Sequence, residues 1–284
     1  MNDTGEKQFI TSANKLFRMR TVYLCLCWLS LIGIMLKTYS LLLWAASFVL
    51  FLVWGVLYLR LEARLEKLLW GRFKLLIHDT GDFNPKPLPP LSGAIGKLGK
   101  DRKLELLAHG MVKNYPVTLW AQDCIFYPHL NNIAVTNSYR VLEITTEQNF
   151  YHVFVDSKRN DKGLFGKDMR TLAKSLRGNQ QLTVEGDVNK YFRMYVPADA
   201  RYKSLVTLTP EKLLALRDYG QNFDVEFVDN KIYVITRRSA RNVQDVLTYQ
   251  SEVIELLKNI GVNLRRTRTD IDGTLHLAQP HTFA

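Results

Sequence analysis

The chain has 284 residues, 47% of them hydrophobic, and a formal net charge of +11. That length holds one large domain or two smaller ones. The charge is uneven, with 10 Lys/Arg against 4 Asp/Glu in residues 1–74 and 28 against 23 in the remainder. The positive excess is therefore densest around apolar segments, where anionic headgroups attract it and orientation is decided, so a nucleic-acid patch is not the first reading. Three cysteines (Cys25, Cys27 and Cys124) exclude a disulfide framework and fit a reducing compartment.

Residues 1–20 read as a basic amphipathic segment. Phe9, Ile10, Ala13, Leu16 and Phe17 recur at helical spacing among Lys7, Lys15 and Arg18. Such a segment either lies on a leaflet or simply extends the helix that follows. Two uncharged runs come next, Thr21–Leu36 and Thr38–Leu59, separated by Lys37. Each approaches or exceeds the ~20 residues that span a hydrocarbon core. Residues 21–59 are thus expected to form a two-helix transmembrane hairpin. A small-x-small motif is missing between the runs, so signal cleavage is not expected. Lys15, Arg18 and Arg20 precede the hairpin and Arg60, Arg64 and Arg72 follow it. These are the expected membrane-surface cations, and they predict an inner-membrane, two-pass topology with both termini cytoplasmic. Over 60–78, Leu61, Leu65, Leu68 and Leu69 make an apolar stripe on a helical stalk. The stripe pairs with the N-terminal helix or with another copy of the chain.

Residues 79–100 read as a Pro/Gly-rich linker, with Pro85, Pro87, Pro89 and Pro90 favouring extended backbone. Gly93, Gly96 and Gly99 lack the Gly-Lys-Ser/Thr ending of a phosphate cradle and predict a flexible or tightly turned segment. A cytosolic domain over 101–264 follows, with a sub-boundary near 160–180. Its expected strands are Lys103–Val112, Val117–Phe126, Tyr139–Thr146, Phe150–Asp156, Gln181–Glu185 and Phe192–Val196. A short helix is expected around Met169–Leu176. Thr209-Pro210-Glu211 starts a helix that stops at Gly220. A hairpin of Val225–Val228 and Ile232–Ile235 turns at Asp229-Asn230. A long helix over 242–260 carries Val243, Val246, Leu247, Val253, Ile254, Leu257 and Ile260 on one face. Both helices should pack on the sheet that holds the hairpin, with Val225, Phe227, Tyr233 and Ile235 on one face and Glu226 and Val228 opposite. Residues 265–284 read as a tail. Strands followed by helix, hairpin and helix define an α+β class with antiparallel pairing.

Four segments in order carry a resemblance: His152–Asp161 (HVFVDSKRND), Leu182–Pro197 (LTVEGDVNKYFRMYVP), Leu205–Leu216 (LVTLTPEKLLAL) and Phe223–Arg238 (FDVEFVDNKIYVITRR). Together they resemble a family of bacterial membrane-anchored proteins, common in small-genome candidate phyla, with no assigned activity. That family pairs N-terminal transmembrane helices with a cytosolic domain. Glu185-Gly186-Asp187, Thr209-Pro210 and Asp224-Val225-Glu226 fill its pattern, while Val188 stands where an aromatic residue is expected. The resemblance implies architecture and membrane attachment and brings no catalytic residues.

Chemistry has few carriers. Asp156, Glu185 and Asp187 fall at strand ends, where they could converge on a cation or serve as acid and base. The preferred reading is that Gly186 makes a tight turn and the flanking carboxylates cap backbone donors or pair with Lys158, Arg159 or Arg193. The six histidines show no metal-site spacing. Cys124 and His129 lack a local nucleophile signature. Arg237, Arg238 and Arg241, like Arg265, Arg266 and Arg268, lack the interleaved aromatics of a base-stacking surface. No cofactor, no metal and no nucleic-acid partner are expected. The expected partners are the lipid bilayer and either a protein or a second copy of the chain. A non-enzymatic, membrane-anchored binding or scaffold module is the leading reading. A hydrolase or metal-dependent enzyme using the three acids comes second, and a domain binding nucleic acid or anionic lipid third.

Overall fold

The computed structural model describes residues 3–35, 41–78, 91–97, 100–112, 115–126, 135–159, 179–184, 186–236, 243–244 and 246–260. It divides into two compact units: Met1–Phe73 with Ser239–Thr248, and Lys74–Arg238 with Tyr249–Ala284. The turn expected at Lys37, the proline run, the helix expected around Met169 and the tail lie outside the described residues.

The first unit is built on two helices, α1 (Asp3–Met35) and α2 (Leu41–Leu76). Neither contains proline, and both are rich in leucine and other strong helix formers. At 1.5 Å per residue each extends about 50 Å, well beyond the ~30 Å of a hydrocarbon core. They run antiparallel. Glu6 meets Arg72 at 3.4 Å, Arg20 Nε meets Glu62 at 2.5 Å, and the Tyr23 and Trp54 rings lie 5.7 Å apart. Helix α1 continues unbroken through residue 20. In its first half Ala13 and Phe17 are buried against Leu65, with Phe9, Ile10, Leu16, Leu68 and Leu69 around them. The stalk stripe therefore finds its partner within the chain. Val243 and Val246 complete the same cluster.

The second unit is α+β, as expected. Its six-stranded antiparallel sheet comprises β1 (Lys100–Val112), β2 (Tyr115–Phe126), β3 (Val135–Ser157), β4 (Asn179–Leu182), β5 (Phe192–Pro197) and β6 (Asp224–Thr236). Three helices fall between β4 and β6: α3 (Val188–Tyr191), α4 (Arg201–Thr207) and α5 (Pro210–Tyr219). Among the described residues a further helix, α6, covers 246–260, of which 249–260 belong to this unit. Thr209 caps α5 by accepting from the Lys212 N–H, and Pro210 occupies its first turn, as Thr-Pro-Glu predicts.

Two sequence expectations need correction. The segments 139–146 and 150–156 are one 23-residue strand. The residues expected to form a hairpin, Val225–Val228 and Ile232–Ile235, are likewise one strand, and both halves pair with β3. The reason is a matched irregularity. The β3–β6 register shifts between Thr145 and Phe150 and again before Val153, and Asp229 takes up the slack at φ 51°. A bulge and a two-residue turn draw on the same residue types, so Asp-Asn was legible as either. The bulge also changes the facing. Val228, Tyr233 and Ile235 share one core with Trp120, Cys124, Tyr139, Val141 and Phe154. Tyr233 and Ile235 thus side with Val228, not with Val225 and Phe227.

The opposite sheet face receives the helices. Leu257 and Ile260 of α6 sit in a small cleft with Val112, Tyr115, Val117, Ile144 and Ile232. The Phe223 and Tyr249 rings meet edge to face at 5.0 Å. Strand β3 forks the sheet: β2 flanks it up to Ile144 and β5 only from Phe154.

Candidate functional site

The expected acids do not all come into view. Asp156 is buried near the end of β3, where Arg193 of β5 donates to its Oδ2 at 2.8 Å. Asp187 precedes α3 and makes no side-chain cap bond. Glu185 lies outside the described residues. Among the described residues no cluster of three His, Cys, Asp or Glu side chains has a metal-holding arrangement. Cys124 is fully buried within the apolar core, while His129 and the clusters at 237–241 and 265–268 lie outside the described residues.

The densest polar site is one that sequence reasoning missed. Glu226, near the start of β6, is fully buried. Its Oε1 accepts from the Ala94 N–H at 2.6 Å and its Oε2 from the Ile95 N–H at 3.3 Å. His152 Nε2 lies 2.7 Å from Oε1. Gly93 is required here: its φ is +76°, and a Cβ would come within 2.5 Å of the Glu226 carboxylate. More side chains hold the same segment. Gln122 donates to the Ile95 carbonyl at 2.8 Å, and the Tyr233 hydroxyl receives the Ser92 N–H at 3.2 Å. Burial and the nearby Glu143 carboxylate push the Tyr233 phenol up. Glu143 in turn takes Lys231 at 2.7 Å and the Trp120 indole N–H at 3.2 Å.

This arrangement is a clamp. The glycine-bearing segment is tightly turned, as one reading of it predicts. Its N–H groups grip a carboxylate supplied by the protein itself, and Leu91, Ala94 and Ile95 are buried in the core. The linker therefore stops short of residue 100, and 91–97 belongs to the domain. Chemically, a carboxylate that accepts two amides and meets an imidazole is well placed to fix backbone. The available signal was an acid at 226 and a histidine at 152, each set in an otherwise apolar run.

The cations expected at a membrane surface divide into two groups. Lys15, Arg18, Arg60 and Arg64 are exposed. Arg20 is held by Glu62, and Arg72 by Glu6 with its guanidinium 4.8 Å from the Phe9 ring centre. Beyond Arg20 the outward residues turn apolar. Val22, Trp28, Leu29, Ile32 and Met35 of α1 and Phe48, Leu52, Val53, Val56 and Leu59 of α2 are exposed. Only 11% and 6% of the most apolar stretches of the two helices are buried within the chain. Both helices are long and apolar enough to cross a membrane.

A helical hairpin with an apolar outside and an α+β domain of clamped sheet strands define the class of the chain. No family model matches it, and no curated protein matches it. Among solved structures it is similar to the mycobacterial trehalose monomycolate transport factor A, at 10% identity over 59% of this chain and 79% of that one, with a TM-score of 0.34. A superposition that loose carries no argument about function.

Proposed function

We propose that the chain is a two-pass inner-membrane protein with both termini in the cytoplasm. Its α+β unit serves as a non-enzymatic module that holds a protein partner, or a second copy, at the inner leaflet. The family that its four ordered segments resemble is part of this reading. The observation that carries it is the outward apolar face of α1 and α2, unburied by the rest of the chain. Leaving this much large apolar surface in water is unfavourable at about 25 cal/mol per Å², and lipid removes that cost. Lys15, Arg18, Arg60 and Arg64 are grouped where α1 and α2 run side by side, with Arg20–Glu62 among them, which supports the cytoplasmic assignment of that end.

Protease added to intact spheroplasts should leave residues 75–284 uncut and digest them only after lysis. Cleavage from outside would overturn the topology. Gentle solubilisation should recover a stoichiometric protein partner or a defined homo-oligomer. A monodisperse monomer without companion would overturn the scaffold reading and leave the topology standing.

A further inference from the structure

The fork in the sheet leaves residues 145–153 of β3 with neither β2 nor β5 beside them. Helix α4 fills that gap with hydroxyl groups. Thr207 Oγ1 accepts from the Tyr151 N–H at 3.1 Å and lies 3.3 Å from the Tyr151 carbonyl, and Ser204 Oγ donates to the His152 carbonyl at 3.4 Å. The consequence is a helix turned inside out. Its buried side is Ser204 and Thr207, while Tyr202 is 82% exposed, with Leu205 at 43% and Val206 at 47%. Tyr151, beside it on β3, is also exposed. A helix of a soluble domain ordinarily does the reverse. Arg201 and Lys203 are exposed on either side of Tyr202, and Asp199 is the single acid from 197 to 208.

We propose that α4 is a lipid-contacting face. It sets Tyr202, Leu205 and Val206 into the headgroup–acyl boundary of an anionic bilayer while Arg201 and Lys203 meet lipid phosphate. The composition is that of a membrane interface: an amphipathic ring, aliphatic neighbours and long cations whose stems lie along apolar surface. A protein partner fits less well. Seven residues offer three apolar anchors, far short of the ~800 Å² per side of a standard protein interface. A bilayer demands no shape match. The proposal rests on the anchoring proposed above, since an anchored chain keeps lipid at high effective concentration and lets a weak contact operate.

The test uses the full-length chain, reconstituted in vesicles of phosphatidylcholine alone or with phosphatidylglycerol. Tyr202 is replaced by the photo-cross-linker p-benzoylphenylalanine, and Glu147, exposed on β3, receives the same replacement as control. Flotation with the vesicles is scored before illumination, and adducts are identified by mass. We expect a phospholipid adduct at position 202 on the anionic vesicles, several-fold above position 147. With the cross-linker at position 202, Arg201→Ser or Lys203→Ser should each lower the adduct yield about fivefold, and Leu205→Ser with Val206→Ser should abolish it. Floated protein that gives no lipid adduct at 202, equal adduct on neutral vesicles, or a cross-link to a second copy would overturn the lipid face alone. Failure to float would overturn the anchoring, and the lipid face with it.

Discussion

Lys212 lies in the first turn of α5 with its side chain fully buried, its Nζ donating to the Thr207 carbonyl at 3.0 Å and lying 5.2 Å from the Phe150 ring centre. Burial lowers its pKa from 10.5 to about 8, with Glu211 partly opposing the shift. In the unfolded chain the amine keeps its ordinary value. Between pH 8 and 10.5 the unfolded state therefore binds more protons than the native one, and stability rises with pH across that window. The slope is about 1.4 kcal/mol per pH unit, or on the order of 3 kcal/mol across the window. Below pH 8 both states are protonated and this contribution is absent. Lys212→Met removes the titration while keeping most of the volume. Urea unfolding of the full chain in detergent micelles can be followed by Trp120, the one tryptophan outside α1 and α2. Subtracting the variant's stability from that of the native chain cancels the other titrating groups, because they are common to both. The difference should grow in favour of the native chain from pH 7.5 to 10.5. A difference independent of pH would refute the assignment of a desolvated amine at this position.

Further outcomes follow from the clamp, the helix face and the hairpin. Glu226→Gln should destabilise the second unit by about 2–3 kcal/mol, since a carboxamide presents one acceptor to two amides; hydrogen exchange at Ala94 and Ile95 should rise before exchange elsewhere. Leu257→Ala should cost about 2–5 kcal/mol by opening a cavity against Ile144 and Ile232. Glu255→Ala, which loses only an i,i+3 pair with Lys258, should change stability by under about 0.5 kcal/mol, and equal costs at the two positions would place the wrong face inward. Leu65→Asp should loosen the cluster around Ala13 and Phe17 and expose α1 near residue 17 to protease, while leaving flotation with membranes unchanged.

The parts of the architecture that depend on local periodicity were legible. The two long helices, the Thr-Pro helix start and the inward face of α6 follow from spacing that each segment carries by itself. Leu257 and Ile260 are buried for the reason their sequence positions suggest. The β3–β6 pairing was not legible, because Asp229-Asn230 satisfies a turn and a bulge equally and the deciding partner lies some 80 residues earlier. The clamp was hidden for a related reason. Glu226 looks like an outward residue of an alternating strand until Gly93, Ala94 and Ile95 arrive from far upstream to occupy its oxygens. Helix α4 escaped notice because its pattern is inverted, with hydroxyls answering to the fork in the sheet. Of the expected acids, Asp156 has Arg193 beside it, and Glu185 lies outside the described residues.

The bond between Ala94 and Glu226 joins residues 132 positions apart. On the ribosome, residue 94 is synthesised long before residue 226, a delay on the order of ten seconds at typical elongation rates. Throughout that interval the Ala94 and Ile95 N–H groups lack their carboxylate, and the core around Leu91, Trp120, Tyr139 and Val141 lacks Val228, Tyr233 and Ile235. Closure waits for the penultimate described element of the chain, so the domain belongs to the slow-folding, long-range class of topologies. A nascent chain stalled before residue 226 should therefore recruit chaperones through the half-covered sheet, and one released just beyond 236 should lose that affinity.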